Sequence, residues 1–311
     1  MHNSSMINEA INRLDALTPQ EGYNLTPLPD VRLLRSNRPL ARTPVLYDPG
    51  IVFVLQGGKR GYFGDRVFCY DARHYLAVAV PVPFIMETDA SAKEPLLAVY
   101  MHLDLAVVAD LLLKMELAGA SLSHKPGGMI STPVDAALTR SVTRLLYALS
   151  DPVEAKLLGP GLVREIYFHV LSGEQGGEMR AALTQQGAFG KIARALRYIH
   201  QHYSQTLSIE ELARHAGMSH ATFHAHFRAV TQTSPMQYVK SIRLHQARLM
   251  MVREQMTAAA ASVAVGYESS SQFSREFKRL FALSPTEEAK RLRGTFALPP
   301  AQQGAIFVAS H

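Results

Sequence analysis

The strongest constraint on this 311-residue chain is a short element written twice. "ATFHAHFRAVTQTSP" begins at Ala221, and "SQFSREFKRLFALSP" begins at Ser271 with the same punctuation. Phe223 answers to Phe273, Phe227 to Phe277 and Ser234-Pro235 to Ser284-Pro285, all at an offset of 50. Residues four apart share one side of an α-helix, and proline is at home in the first helical position but not in the interior. Each copy therefore reads as one helix that stops before Ser-Pro and another that starts there.

In the first copy, "TLSIEELARHAGMSHATFHAHFRAV" reads helix, tight turn, helix. Ser208 and Glu211 form a capping box, Gly217 supplies the turn and Ser219 caps the second helix. Ala213 and Ser262, each four residues before a glycine, are small enough for two helices to approach closely, as a helix-turn-helix requires. With Phe223, Phe227 and Val230 turned to the core, Ala221, His224, Ala225 and Arg228 point outward. In the second copy Phe273, Phe277 and Leu280 face inward, leaving Ser271, Ser274, Arg275 and Lys278 outside. Short polar or basic faces of this kind suit a helix in a DNA major groove; either one alone is equally an ordinary amphipathic surface helix. Each Ser-Pro opens a further helix, with Gln237 or Glu287 completing a second capping box. Between the copies "PMQYVKSIRLHQARLMMV" is one helical pattern, about 27 Å long at 1.5 Å per residue. It could hold two reading helices about 34 Å apart, one turn of DNA, so that one polypeptide reads two successive grooves.

Charge follows the repeat. Residues 190–294 hold 15 Lys/Arg against 7 Asp/Glu, a balance of +8, and the remainder holds 17 against 19, a balance of −2. A basic domain on a nearly neutral partner points to a polyanion bound at one end. The single cysteine, Cys69, excludes an internal disulfide framework and fits a reducing cytoplasm. The N-terminus lacks the pattern of a signal peptide; Met6, Ile7, Ala10, Ile11, Leu14 and Leu17 have helical spacing instead. The longest apolar run, around "LAVVADLLL", is too short to span a membrane.

Residues 25–102 read as short strands between turn signals, with "LQGGKRGYFGDRVFCY" the clearest hairpin. From Leu103 three helical patterns follow, separated by "SLSHKPGGMIS" and "DPVEAKLLGP", which read as loops. The expected organisation is a regulatory domain over 1–173, a linker over 174–190 with one helical turn, a basic domain over 191–294 and a tail over 295–311. The fold class is α+β.

The motifs "RLHQARLMM" and "VAVGYESSSQFSREFKRLFALSP", with the paired Phe-x3-Phe helices, resemble the DNA-binding domain of AraC/XylS-type transcription regulators over residues 190–294. "LTPLPDVRLLRSNRPL" and "YDPGIVFVLQGGKRGYFGDRVFCYDARHYLAV" are similar to the regulatory domain of one AraC subgroup. The resemblance implies an N-terminal cupin-like β-barrel with flanking dimerising helices, then an all-α domain of two helix-turn-helix units joined by a long helix. It places Ala221, His224 and Ala225 at base edges with Thr222 and Arg228 nearby, and Ser270, Ser271, Gln272, Ser274 and Arg275 at the second groove. It implies a sequence-specific regulator, an activator, with double-stranded DNA, a second copy of the chain and RNA polymerase as partners. The family usually has glycine at the positions of Gln232 and Ala282 to end each reading helix in a left-handed turn.

Some residues carry two readings. Gln272 is either a base reader or the N3 partner of a capping box at Ser269. Arg275 suits a bidentate contact with guanine, or a salt bridge with Glu268 or Glu276. His220, His224 and His226 have no cysteine or carboxylate nearby to complete a metal site, and His226 reads as a packed core residue. A metal-dependent cupin enzyme needs a His-x-His pair, whereas the strand region before residue 100 holds only His74; neither catalysis nor a cofactor is expected. Tyr62, Phe68, Tyr70, His74 and Tyr75 line a ligand pocket or pack the core. Helices 103–173 form a dimer interface or a closed bundle. A cupin-type enzyme or small-molecule sensor with an appended nucleic-acid-binding domain is the alternative function, and control by abundance or a partner protein competes with control by an effector.

Overall fold

Gly64 and Asp65 turn the clearest sequence hairpin as expected: Gly64 sits at φ 59°, a conformation glycine adopts freely. The computed structural model describes residues 2–119, 126–184 and 187–293; the tail expected at 295–311 lies outside them. Helix α1 (His2–Leu17) leads into strands β1 (Gly22–Leu25), β2 (Val31–Ser36), β3 (Leu40–Tyr47), β4 (Gly50–Gln56), β5 (Gly58–Phe63), β6 (Arg66–Asp71), β7 (His74–Val78), β8 (Val82–Asp89) and β9 (Leu96–His102). Then come α2 (Leu105–Leu117), β10 (Met129–Pro133), α3 (Ala136–Ala148), α4 (Pro152–Ser172) and α5 (Gly176–Leu183). The C-terminal part is helical: α6 (Gly187–His202), α7 (Ile209–Ala216), α8 (His220–Thr231), α9 (Pro235–Arg253), α10 (Ala258–Ala264), α11 (Ser270–Phe281) and α12 (Pro285–Arg293).

All ten strands form one antiparallel sheet in the order β1-β2-β9-β4-β7-β6-β5-β8-β3, with β10 paired to β7. Among the described residues β6 and β7 share a single pair, Asp71 with His74, so the sheet curls sharply there. The edge strands β1 and β3 pair only inward, with β2 and β8. The result is a half-barrel with an open side between them. Alternation sets its two faces: along β5, Lys59, Gly61 and Phe63 are buried while Arg60 is exposed. Of the residues expected in a pocket or core, Phe68, Tyr70 and Tyr75 are buried, whereas Tyr62 and His74 are only half-buried.

Three local readings change. "MIS", read as the end of a loop, and Thr132-Pro133, read as the start of a helical pattern, form strand β10, in full register with β7. "DPVEAKLLGP", read as a loop, caps and opens the 21-residue helix α4, with Asp151 as its N-cap and the rest inside it. A Cβ on Gly159 would come within 2.7 Å of Leu28, so the glycine is there for close packing, and Pro160 is tolerated in a helix anchored by buried Leu162, Ile166 and Tyr167. The glycine-rich segment read as a linker contains α5, two turns long, with Met179 and Ala182 buried. A Cβ on Gly176 would lie 2.2 Å from the Leu171 carbonyl oxygen, so the glycine marks a close backbone approach in the α4–α5 turn.

Two apolar cores result. One runs without interruption from the sheet through α1, α3 and α4 into α6–α9, taking in Leu212, Phe223, Phe227 and Tyr238. The other holds Leu244 and Met251 of α9, Ala261 of α10, Tyr267 of the turn after it, Phe273, Phe277 and Phe281 of α11, and Ala289 of α12. No described helix is long and apolar enough to cross a membrane.

Candidate nucleic-acid interface

The repeat seen in sequence is a repeat in space. Helices α7–α8 and α10–α11 are two helix-turn-helix units, and α8 and α11 begin 50 residues apart. Each start is capped as its residues dictate. The Ser208 hydroxyl accepts the Glu211 amide at 3.1 Å, Ser219 accepts that of Thr222 at 3.3 Å, and Ser269 that of Gln272 at 3.2 Å. Ser284 and Glu287 exchange both bonds of a capping box, at 2.9 and 3.4 Å. The box expected of Gln237 does not form: Ser234 makes no side-chain cap bond, and Pro235 starts α9 on its own fixed φ. Gly217 takes the turn at φ 60°, and Ala213 and Ser262 are buried where the paired helices meet.

The inward faces are apolar as the spacing demands. Phe223 and Phe227 are fully buried with ring centroids 5.4 Å apart, and Phe273 and Phe277 repeat the pair at 5.5 Å. Outward, Ala221, Thr222, Ala225 and Arg228 are exposed on α8, and His224 is half-buried beside His220, ring centroids 5.1 Å apart. On α11 Ser270, Ser271, Gln272, Ser274, Arg275 and Lys278 are all exposed. Arg275 makes neither of the salt bridges considered for it; Glu276 is taken by Lys240 at 2.8 Å. Gln272 does not complete a capping box, because its side-chain amide donates to Glu276 at 3.2 Å. His226 is exposed and not packed, since it lies beyond the edge of the two-phenylalanine stripe. The described residues contain no group of three His, Cys, Asp or Glu able to hold a metal ion.

Helix α9 sets where the two reading helices stand. It is a single 19-residue helix, about 28 Å long. Tyr238 packs its ring on Phe227 of the first unit, at 5.5 Å. Toward the second, Lys240 reaches Glu276 of α11, whose other oxygen accepts the Tyr267 hydroxyl at 2.8 Å. Partial burial would raise the Glu276 carboxyl, but bonds from Lys240, Tyr267 and Gln272 hold it below the ordinary range. Arg243, on α9, ties the segment just ahead of the first unit to the turn of the second. Its guanidinium donates to the carbonyls of Tyr203 and Gln205 at 2.7 Å each and of Gly266 at 3.0 Å. The sequence reading missed Arg243, because its partners lie 23 to 40 residues away and no local motif distinguishes it.

Both reading helices end in a left-handed residue that is not glycine, Gln232 at φ 56° and Ala282 at φ 64°. The Gln232 side chain donates to the Ala229 carbonyl at 3.3 Å and lies against Gly64, where a Cβ would meet its Oε1 at 3.0 Å. The β5–β6 turn thus touches the end of α8.

Two family models match the chain: the N-terminus of AraC-type transcriptional regulators over residues 27–178, and a helix-turn-helix domain over residues 212–291. RclR of Escherichia coli, an RCS-specific HTH-type transcriptional activator, is 37% identical over 86 residues, 28% of this chain and 30% of RclR. LumQ of Photobacterium leiognathi, a probable transcriptional regulator, is 34% identical over 89 residues, 29% of this chain and 36% of LumQ. A putative AraC-like transcription regulator of Streptomyces antibioticus is 26% identical over 170 residues, 54% of this chain and 55% of that protein. The chain thus spans between 30% and 55% of the length of these relatives. The crystal structure of unsaturated fatty acid bound ToxT from Vibrio cholerae superposes with a TM-score of 0.59 at 12% identity, covering 86% of this chain and 98% of that one. That likeness is one of fold.

Proposed function

We propose that this chain, an AraC/XylS-type regulator by its two matched domains and its architecture, binds specific duplex DNA with α8 and α11 in two successive major grooves. The observation that carries the reading is the pair of exposed, aliphatic-poor helix faces fixed at the two sides of α9. Arg275 suits guanine in the major groove, while Ala221 and Ala225 offer methyl groups to thymine. Arg228 and Lys278, near the helix ends, suit phosphates, which position the protein without reading sequence. His224, Thr222, Ser270, Ser271, Gln272 and Ser274 complete the two faces. Selection of random duplexes with the full chain at a stated salt tests this. Enrichment of two motifs about one helical turn, ~34 Å, apart supports it; recovery of bulk sequence alone overturns it.

The activator reading rests on RclR, named a transcriptional activator, and such a role implies contact with RNA polymerase. Dimerisation is supported by the outer faces of α2 and α4, where Leu113, Leu117, Leu157 and Leu158 are 57%, 79%, 76% and 55% exposed. Apolar side chains so concentrated mark interaction surfaces. Sedimentation of Leu117→Lys/Leu157→Lys should give a monomer from a dimeric parent. The half-barrel itself supports an effector-sensing role, and ToxT, a protein similar in fold, has been crystallised with an unsaturated fatty acid bound.

A further inference from the structure

We propose that His220 and His224 form a proton-linked contact to DNA, so that the first reading unit binds its groove with uptake of a proton while the second reads independently of pH. The proposal deepens the regulator reading above and rests on it. It adds His220 to the residues that meet the duplex.

The internal repeat supplies the comparison. At the offset of 50, His220 answers to Ser270 and His224 to Ser274. The two units therefore set titratable rings and plain hydroxyls at the same places on one scaffold. The histidines stand one turn apart on α8, His220 exposed and His224 half-buried, with ring centroids 5.1 Å apart. Ala221 and Ala225 beside them are short, so the imidazoles reach furthest from this face in its first two turns. Among the described residues neither ring makes a hydrogen bond or an ion pair, and their nitrogens are open to a ligand.

The surroundings are poor in carboxylates. In helices α6 to α9 only Glu210 and Glu211 are acidic, and both lie in the first turn of α7, at the far end from the turn into α8. Around that turn stand Arg214 and His215 of α7, the His215 ring stacked on Tyr198 of α6 at 3.7 Å. Lys191 of α6 donates to the Gly217 carbonyl there at 3.2 Å. Arg194 on α6 and His226 and Arg228 on α8 are basic or titratable in turn, and Lys240 of α9 is held by Glu276. No carboxylate of these helices balances an imidazolium at the start of α8, whereas the phosphates of a bound duplex do. Two adjacent cations repel, so the pair takes up one proton and not two. Protonation also changes what is read. An imidazolium donates from both ring nitrogens and accepts nothing, which matches guanine, whose N7 and O6 both accept. A helix in the major groove meets base edges with its N-terminal residues, where this pair lies.

Selection of random duplexes with the full chain at pH 6 and at pH 8, at one ionic strength and with EDTA present, tests the proposal. Both pools should hold two motifs, and Arg275→Ala, which blurs the half met by α11, tells the halves apart. The α8 half should gain guanine at pH 6, and the α11 half should stay the same. On the selected duplex the parent should bind about five- to tenfold more tightly at pH 6 than at pH 8, the range over which histidine changes charge. Its salt slope should be steeper by up to about 0.9 at pH 6. Calorimetry at pH 7 in two buffers of different ionisation enthalpy should show proton uptake on binding. His220→Ser/His224→Ser gives the first unit the residues of the second, and should bind equally at both pH values with no proton uptake. Asp48 and Lys59 are also shifted to about 7 within the half-barrel; the double variant keeps both, so it separates their titration from that of the pair. Equal pH dependence in the parent and the double variant overturns the proposal. Should the variant fail to fold, the absence of proton uptake by the parent overturns it equally. Recovery of bulk sequence at both pH values sinks the regulator reading itself, whereas two motifs that ignore pH keep the regulator and sink the histidine contact.

Discussion

Gln232 and Ala282 both occupy a backbone region that disfavours side chains by about 1 kcal/mol, yet for different reasons. Ala282 is exposed at the end of α11. Ala282→Gly should therefore raise stability by about 0.5–1 kcal/mol in denaturant melts. Gln232→Gly relieves the same strain but removes the bond to Ala229 and the packing on Gly64, so no net gain is expected. On the reading face, Arg275→Ala should weaken the selected site by about 1–3 kcal/mol and relax preference at one base pair. Lys278→Ala should weaken all sequences alike and make the salt slope shallower by about 1; identical effects from both substitutions would refute the division of roles. The two faces were legible in sequence because a helical period fixes orientation within a dozen residues. His226 was misplaced because a stripe of two phenylalanines leaves its edge undefined.

At the scale of elements, α7, α8, α9 and α11 could be read almost to the residue, since their caps, turns and stripes are local. The elements that were misread are those whose reasons are distant. Strand β10 exists because β7 offers an edge to residues that follow it in the chain by 51 (Met129 on Val78) to 59 (Pro133 on His74), and α4 passes through Pro160 because Leu28 and the core hold it. Arg243 belongs to the same class. Replacing it by Met leaves the Tyr203, Gln205 and Gly266 carbonyls without that donor and loosens one unit against the other. Arg243→Met should still bind each half-site, but a bipartite site should gain little over one half; gel-shift titrations on full and half sites measure this. Full retention of the bipartite advantage would show that packing alone aligns the units.

The whole molecule is divided unevenly, with the first unit sharing the core of the sheet and the second keeping its own. A polar thread crosses the junction: His200 meets the Tyr238 hydroxyl at 2.8 Å, and Tyr238 donates to the Pro81 carbonyl at 2.8 Å. Burial lowers His200 to about 3, below its unfolded value, so the unfolded chain binds the extra proton. That contribution is complete above pH ~6.5 and fades as pH falls, by about 2 kcal/mol at pH 5. Asp48, raised to about 7, works in the opposite direction over that window. The test is thus differential: between pH 7 and 5 the parent should lose about 2 kcal/mol more than His200→Gln, and parallel losses would place the acid sensitivity elsewhere. None of this thread was legible, because Pro81, His200 and Tyr238 are brought together only by the fold. The uneven division also orders the molecule in time. The sheet is fully synthesised at Pro133, but α12, whose Arg291 and Leu292 face Tyr23 and Lys59 at the open side of the half-barrel, ends at Arg293, 160 residues later. At ~5–20 residues per second on the ribosome, the mouth of the half-barrel stays uncovered for about 8–32 s. During that interval it is an apolar opening on a nascent chain, reachable by chaperones and small molecules before its own helices close it.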